Sequence, residues 1–535
     1  VRRMKRLLLA LGLLAACGDE DEGGVFGRDL VAHLNDGDVQ GERSGESVRF
    51  LKIPYAAPPV GDLRWKAPQP APAWSGVRKE TQFASPCPQL ANSQGPTSAN
   101  EDCLYLNVWA PSPAPEKAPV MVWIHGGGNF AGSAGDKVPT QIAMEQAPLF
   151  YDGQFFAARQ GVVLVSLNYR LGPFGFFAHP ALGAEGSPQG NQGLLDQNAA
   201  LQWVRDNIEA FGGDPANVTI FGESAGSADV CYHVVSPLGA GLFQRAISQS
   251  GGCTTGPSGD RDSTATEAAK GVLAYEKAVG CDGLACLRGK SVEQLLAQSM
   301  QPNPSGGFFD TPMWRFAPVT GTPFLPEAPV QAFARGTVNR VPYLLGSNTD
   351  EGTLFTFTTP VTSAEAYTQR LRQGYGELAP QLEALYPASK FNNDYTAAMA
   401  RVIGDSGLVC GTHDTARLAA QAGLPVFMYN FNVPWTVGFG LLGAAHGAEI
   451  SHVFGAPYMP TPDQERVSSA MNTYWATFAK TGDPNFAGAP ALWPAFGDDR
   501  RLQLDTAFST LQGFRGEECT FWRGVYAMRR ASAAP

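Results

Sequence analysis

Asn217-Val218-Thr219-Ile220-Phe221-Gly222-Glu223-Ser224-Ala225-Gly226 is a β-branched and aromatic run that flows directly into Gly-x-Ser-x-Gly. Such a run predicts a strand, a sharp turn that lifts the serine hydroxyl, and then a helix, the geometry of a nucleophile elbow. Glycine on either side has a steric reason: the backbone passes close to its neighbours there and adopts dihedrals that a side chain resists. By composition alone a pentapeptide of this kind arises in about one chain in six of this length. Its meaning therefore rests on whether a preceding strand, a base, an acid and oxyanion donors occur elsewhere in the chain.

The totals describe a chain that folds. Its 535 residues are 44% hydrophobic and only 16% charged, enough for a large core and unlike a disordered polymer. The first residues, Val1-Arg2-Arg3-Met4-Lys5-Arg6, are basic, and Leu7 to Ala16 is an uninterrupted small or apolar run. That is the n-region and h-region of a signal peptide, too short for a span that needs about 20 apolar residues. Its end, Leu14-Ala15-Ala16-Cys17, resembles the lipobox of bacterial lipoproteins, in which the cysteine is lipidated; the alternative is an ordinary signal peptide with a chance cysteine. On the lipobox reading residues 1–16 are removed, Cys17 carries the anchor, and the acidic stretch 17–26 is a tether. The protein is then exported, and meets a membrane only through that anchor, or else is periplasmic or secreted. Without Arg2, Arg3, Lys5 and Arg6, 35 basic residues face 49 acidic ones, a net charge of −14, which excludes nucleic acid as an expected partner.

Further along, Asn35-Asp36-Gly37 signals a hairpin and Val48 to Ile53 alternates as a strand does. Glu101 to Pro111 alternates as well. Val120 to Ile124 and Val162 to Leu167 are near-continuous apolar runs, expected of strands buried on both faces, and a helical stretch from Asn191 to Phe211 precedes the elbow strand. Alternating buried strands and helices predict a large, mostly parallel, doubly wound sheet with helices on both faces. No internal repeat or low-complexity linker divides the chain, so 27–530 reads as a single catalytic domain with 531–535 as a tail.

Several motifs in order carry a resemblance: Glu101 to Pro111, the glycine run His125-Gly126-Gly127-Gly128, Asn168-Tyr169-Arg170-Leu171-Gly172, Gly193-Leu194-Leu195-Asp196-Gln197, and Phe221 to Ser227. Together they resemble the type-B carboxylesterases, a cholinesterase-like family of α/β-hydrolases, from about Tyr55 to Trp522. The resemblance implies an α/β-hydrolase fold whose helical and loop insertions form a gorge, and a serine carboxylic ester hydrolase without metal or organic cofactor.

A serine hydroxyl needs a base to take its proton and an acid to orient that base, in the order Ser, acid, His in this fold. Three of the seven histidines lie far enough downstream. His413 falls in a helical run, Cys410 to Ala422, and reads as a surface or packing residue; His446 sits in a glycine- and alanine-rich loop that lets a mobile imidazole reach the serine, and is preferred to His452. For the acid, Val341 to Gly346 is a strand and Ser347-Asn348-Thr349-Asp350-Glu351-Gly352 its loop. Chemistry alone admits Asp350 or Glu351. The resemblance selects Glu351 and His446, places the oxyanion donors at Gly127, Gly128 and Ala225, and groups Glu223, Glu449 and Ser250 around the imidazolium.

The same resemblance pairs Cys87 with Cys103, Cys281 with Cys286 and Cys410 with Cys519, and joins Arg64 to Glu101 and Arg170 to Asp196. Cys231 and Cys253 remain; Cys231, two turns into the elbow helix, reads more readily as a buried thiol than as half of a fourth bridge. Met313, Trp314 and Phe316 fall where the family lines its acyl pocket. Cholinesterases carry an ammonium-binding aromatic between their first two cysteines, whereas Pro88 to Asp102 here holds no aromatic residue, which argues against a choline site. The expected substrate is a small to medium, largely apolar ester. The same site chemistry serves lactones, thioesters and amides, and a non-catalytic adhesion role on this fold is the reading from another class.

Overall fold

The computed structural model describes residue 26 and residues 29–91, 97–137, 149–254, 263–299, 316–435, 440–455 and 461–532. The expected leader 1–16, Cys17, most of the tether and the pocket residues Met313 and Trp314 lie outside these ranges. Phe26, assigned by its sequence neighbours to the tether, is buried, with its ring 5.2 Å from that of Phe50 and 6.5 Å from that of Phe211. The packed domain thus includes the aromatic residue, which has apolar area to remove from water. At the other end the last helix runs to Ser532, into the segment expected as a tail.

Strands β1 (Val31–Leu34) and β2 (Gly37–Gln40) form the hairpin signalled by Asn35-Asp36-Gly37. Strands β3 (Glu42–Ser44) and β4 (Ser47–Pro54) form a second hairpin, and β5 (Val77–Lys79) returns beside β2. The main sheet continues with β6 (Tyr105–Pro111), β7 (Ala118–Ile124), β8 (Val163–Leu167), β9 (Gly213–Glu223), β10 (Arg245–Gln249), β11 (Tyr343–Asn348), β12 (Val426–Phe431), β13 (Arg500–Leu504) and β14 (Ser509–Gln512). It has eleven strands in the order β14-β13-β12-β11-β10-β9-β7-β8-β6-β4-β3. The centre, from β8 through β7 and β9 to β13, is parallel, and the antiparallel pairs lie at the two ends. This is the α/β-hydrolase fold.

The period-two geometry of a strand explains why β7 reads as continuously apolar. Val120, Val122 and Ile124 enter one core, while Met121 and Trp123 enter another across the sheet. Helix α1 (Gln192–Asn207) covers the first core and α2 (Ala225–Val235) follows the elbow. A third core holds Tyr367, Met399, Ile403 and Trp522 beside Cys410 and Cys519. It is built by α3 (Tyr395–Gly404), a π-turn at Asp405–Val409, α4 (Cys410–Gln421) and the last helix, α6 (Gly516–Ser532); between them in sequence runs α5 (Pro462–Thr481).

Four disulfides form: Cys87–Cys103, Cys281–Cys286, Cys410–Cys519 and also Cys231–Cys253. The buried-thiol reading of Cys231 is therefore corrected. Helix α2 packs across β10, which brings its second turn against the loop leaving that strand, with the two Cα atoms 5.5 Å apart. Bridges of this number belong to chains that mature outside a reducing cytosol. Both expected ion pairs form, Arg64 Nε donating to Glu101 Oε1 at 2.7 Å and Arg170 Nε to Asp196 Oδ2 at 2.7 Å. No helix among the described residues is long and apolar enough to cross a membrane.

The Cys410–Cys519 bridge spans 109 residues and constrains the unfolded chain more than the shorter loops do. Replacing both cysteines by serine should lower the urea midpoint by an amount corresponding to about 2–5 kcal/mol. Identical unfolding curves for the oxidised protein and this variant would contradict that constraint.

Candidate active site

Strand β9 delivers Ser224 at the end of a fully buried run, and Ser224 alone within 220–228 is partly exposed. Its backbone has φ 57° and ψ −120°, a region that costs an L-residue about 1–3 kcal/mol and persists only where the surroundings fix it. They do so from two sides. Ser224 donates its N–H to Gln249 O at 2.9 Å, and its own carbonyl accepts the N–H of Ala228. On the other side, a Cβ at Gly222 would lie 2.6 Å from Ile124 O, and one at Gly226 would collide with that same carbonyl. The glycines of the pentapeptide let the turn press against the end of β7.

The loop after β11 brings Glu351 to His446. His446 Nδ1 and Glu351 Oε2 are 2.7 Å apart, and both residues are buried. The other oxygen of Glu351 accepts the N–H of Asn348 at 2.7 Å. Asp350 is used differently: its Oδ2 accepts the N–H of Ala444 at 3.1 Å, and its own N–H donates to Ala444 O at 3.0 Å. It thus clips the histidine loop to the acid loop. Behind Glu351, a Cβ at Gly352 would run into the carbonyl of Ala400, so only glycine lets this loop lie against α3.

Two further carboxylates approach the imidazole. Glu223 Oε1 lies 3.3 Å from His446 Nε2. Glu449, fully buried, accepts from Gln249 Nε2 at 3.2 Å and from Asn348 Nδ2 at 2.6 Å, and Gln249 is oriented by the indole N–H of Trp475 at 2.9 Å. Burial raises Glu223 to about 8, partly offset by His446 and reinforced by Glu449 and Glu351. Burial likewise raises Glu449 to about 7, with Glu351 adding to it and the two amide donors opposing. For His446, burial alone would depress the pKa, but Glu223, the hydrogen bond and charge of Glu351, and Glu449 together raise it to about 9. Three carboxylates around one imidazole favour its charged form.

The glycine loop after β7 is held rigidly. His125 Nδ1 donates to Gly126 O at 2.8 Å, and the Tyr169 hydroxyl lies 2.9 Å from His125 O and 3.0 Å from Asn129 Oδ1. Asn129 Nδ2 in turn donates to Asp229 of α2 at 3.0 Å. Gly127 and Gly128 have φ of 104° and 67°. Among the described residues, the N–H groups of Gly127, Gly128 and Ala225 have no acceptor. Ala225 is the first residue of α2, where an N–H has no partner within the helix.

The hydroxyl of Ser250 is buried without a hydrogen-bond partner among the described residues, and it is the preceding Gln249 that reaches Glu449. Phe316, the described member of the expected pocket trio, packs 5.1 Å from Tyr275 and 6.1 Å from Phe177 in a core cluster. His452 is buried in a short helix against Phe431, and His413 Nε2 lies 3.0 Å from Asp499, away from the elbow. Asn348 and Gln249 carried no sequence signal beyond proximity to the strand ends, whereas Phe355, an aromatic residue that could add an apolar wall, has its ring 5.4 Å from that of His446. Among the described residues no cluster of three or more His, Cys, Asp or Glu is disposed to hold a metal.

Comparison with known proteins agrees with this geometry. The sequence profile of the Carboxylesterase family matches residues 28–522. The chain is 34% identical to the acetylcholinesterase of Bungarus fasciatus, over 89% of this chain and 82% of that protein. It is 35% identical to the cholinesterase of Mus musculus, over 90% and 83% respectively. The solved structure of a PNB esterase superposes with a TM-score of 0.77 at 34% identity, covering 92% of this chain and all of that one. With a strained, accessible serine at the end of the central strand and a carboxylate-bound histidine in the same fold, the chain belongs to the carboxylesterase family and is a serine carboxylic ester hydrolase.

Proposed function

We propose that Ser224 is the nucleophile, His446 the base and Glu351 the acid of an acyl-enzyme mechanism acting on small to medium, largely apolar esters. The observation that carries this reading is the 2.7 Å contact between His446 Nδ1 and Glu351 Oε2 beside the partly exposed elbow serine. His446 Nε2 takes the proton of Ser224 as Oγ attacks the ester carbonyl, and the resulting oxyanion is met by the N–H groups of Gly127, Gly128 and Ala225. The imidazolium then protonates the departing alcohol, leaving an acyl-serine. Water attacks that acyl group while His446 accepts its proton, and collapse returns that proton to Ser224 and frees the acid. Glu223 and Glu449 stabilise the imidazolium formed in both halves. Cys17 is proposed as the lipidated N-terminus of an envelope-anchored protein.

Ser224→Ala is expected to lower kcat against a chromogenic ester by about 10⁴-fold or more and to abolish labelling by a fluorophosphonate. Undiminished turnover would overturn the assignment. Because the neutral imidazole is the reactive form, kcat/KM should rise with pH toward about 9. Removing the charge of Glu223 lowers the pKa of His446, so Glu223→Gln should move the acid limb of the kcat/KM profile to lower pH; an unmoved limb would mean that His446 does not feel that carboxylate. For the anchor, Cys17→Ser should release the protein from membranes, and a variant that stays bound and unprocessed as before would refute lipidation.

A further inference from the structure

Asn348 is the last residue of β11 and is fully buried. It makes three hydrogen bonds. Its backbone N–H donates to Glu351 Oε1 at 2.7 Å. Its side-chain Nδ2 donates at 2.7 Å to the carbonyl of Ala445, the residue before His446, and at 2.6 Å to Glu449 Oε2. Both side-chain N–H groups are thereby used. One residue thus touches the acid through its backbone N–H, and through its side-chain amide the backbone that carries the base and the carboxylate of Glu449.

We infer that Asn348 is a positioning residue that locks the Glu351 and His446 loops into one unit and holds the Glu449 carboxylate beside them. This rests on the triad reading above. An amide has the right chemistry for the place. It offers two donors on one nitrogen to two acceptors, a carbonyl and a carboxylate, without adding a charge among Glu223, Glu351 and Glu449. A hydrogen bond from a neutral donor to a buried carboxylate favours the charged form of the acid. Without it, burial and the charge of Glu351 drive Glu449 toward its neutral form, and His446 loses one of the negative neighbours that raise its pKa. Other ionisable groups beside the cluster are the phenols of Tyr151 and Tyr429, both held neutral by burial and by nearby carboxylates, and, behind the acid loop, Asp350 with Arg401 and Asp405 with Arg515. Within the cluster, His446 is the group whose positive form the three carboxylates share. Holding the Ala445 carbonyl acts on geometry as well, because the imidazole follows its own backbone.

The test compares Asn348→Ala, the nearly isosteric Asn348→Asp, Glu449→Gln and the double variant Asn348→Ala/Glu449→Gln, on p-nitrophenyl esters. Asn348→Ala is expected to lower kcat at least tenfold with KM within about twofold, and to move the acid limb of kcat/KM to lower pH. Glu449→Gln should move the limb in the same direction, and the double variant should show a shift no larger than the greater single one, since both act through one carboxylate. Asn348→Asp fills the same volume but replaces the two donors with acceptors, so a comparable loss of kcat separates hydrogen bonding from packing. It carries the test alone should the alanine variant not fold. Near-native kcat in Asn348→Asp, an unmoved limb in Asn348→Ala, or fully additive shifts in the double variant would each overturn the inference. Labelling of wild type at Ser224 by a fluorophosphonate keeps these outcomes distinct from failure of the triad itself, which would abolish labelling in wild type.

Discussion

Everything at the site depends on a backbone that is forced to turn where it would rather not. Ser224 sits at φ 57° and ψ −120° because β9 ends between two strands that leave no other path, with the carbonyl of Ile124 on one side and that of Gln249 on the other. The strain is about the size of one good hydrogen bond or two, and many contacts share it. What it secures is position: Ser224 is left partly exposed at the end of a buried strand, and α2 starts one residue later at Ala225, whose N–H has no partner within the helix. A relaxed turn would give up both at once.

The second constraint is electrostatic. Glu223, Glu351 and Glu449 are all almost fully buried around one imidazole, an arrangement that isolated carboxylates would not tolerate. It is made tolerable by fixed dipoles from strand ends, namely the amides of Asn348 and Gln249, with Trp475 orienting the latter, and by the imidazole itself. These partners are already in place before a substrate arrives, so little reorganisation is needed when positive charge develops on His446. The arrangement also links the two ends of the chemistry, because Gln249 holds both the N–H of Ser224 through its carbonyl and Glu449 through its side chain.

How much of this was legible in the sequence follows from how local each signal is. The elbow strand, the two-faced strand β7 and the order of serine, acid and histidine are written in short windows, and the family motifs add the glycine loop and three of the four disulfides. What stayed hidden depends on distances across the sheet. Cys231 and Cys253 meet because α2 lies over β10, a packing relation that no pattern within either segment reports. Gln249 reaches Glu449 where Ser250 does not, since alternation along β10 and the turn after it decide which neighbour faces the site. Phe316 is equally apolar as pocket wall or as core, and its sequence does not report the contacts it makes with Tyr275 and Phe177. Asn348 resembles any polar residue at a strand end until the histidine loop is seen above it.

The acid loop needs support from behind as well as in front, and the far end of the chain provides it. Arg515, just before α6, donates to Thr349 O at 3.3 Å and lies 3.5 Å from Asp405 in the π-turn, a carboxylate that is fully buried. Burial pushes Asp405 up to about 6 even with Arg515 and Arg401 nearby, so the pair is poorly compensated and is weak evidence for stability by itself. Its placement has a different logic. Arg401 approaches Asp350 at 3.8 Å from the same side, and a cavity of about 70 Å³ lies between these groups and the Glu351 loop, large enough for ordered water to complete the polar contacts. The Cys410–Cys519 bridge ties α6 to α4. Two segments more than a hundred residues apart thereby converge on the back of one short loop, whose front carries the carboxylate that orients His446. A site whose geometry must hold to a fraction of an ångström is thus braced from behind by α6 and by Arg515 just before it.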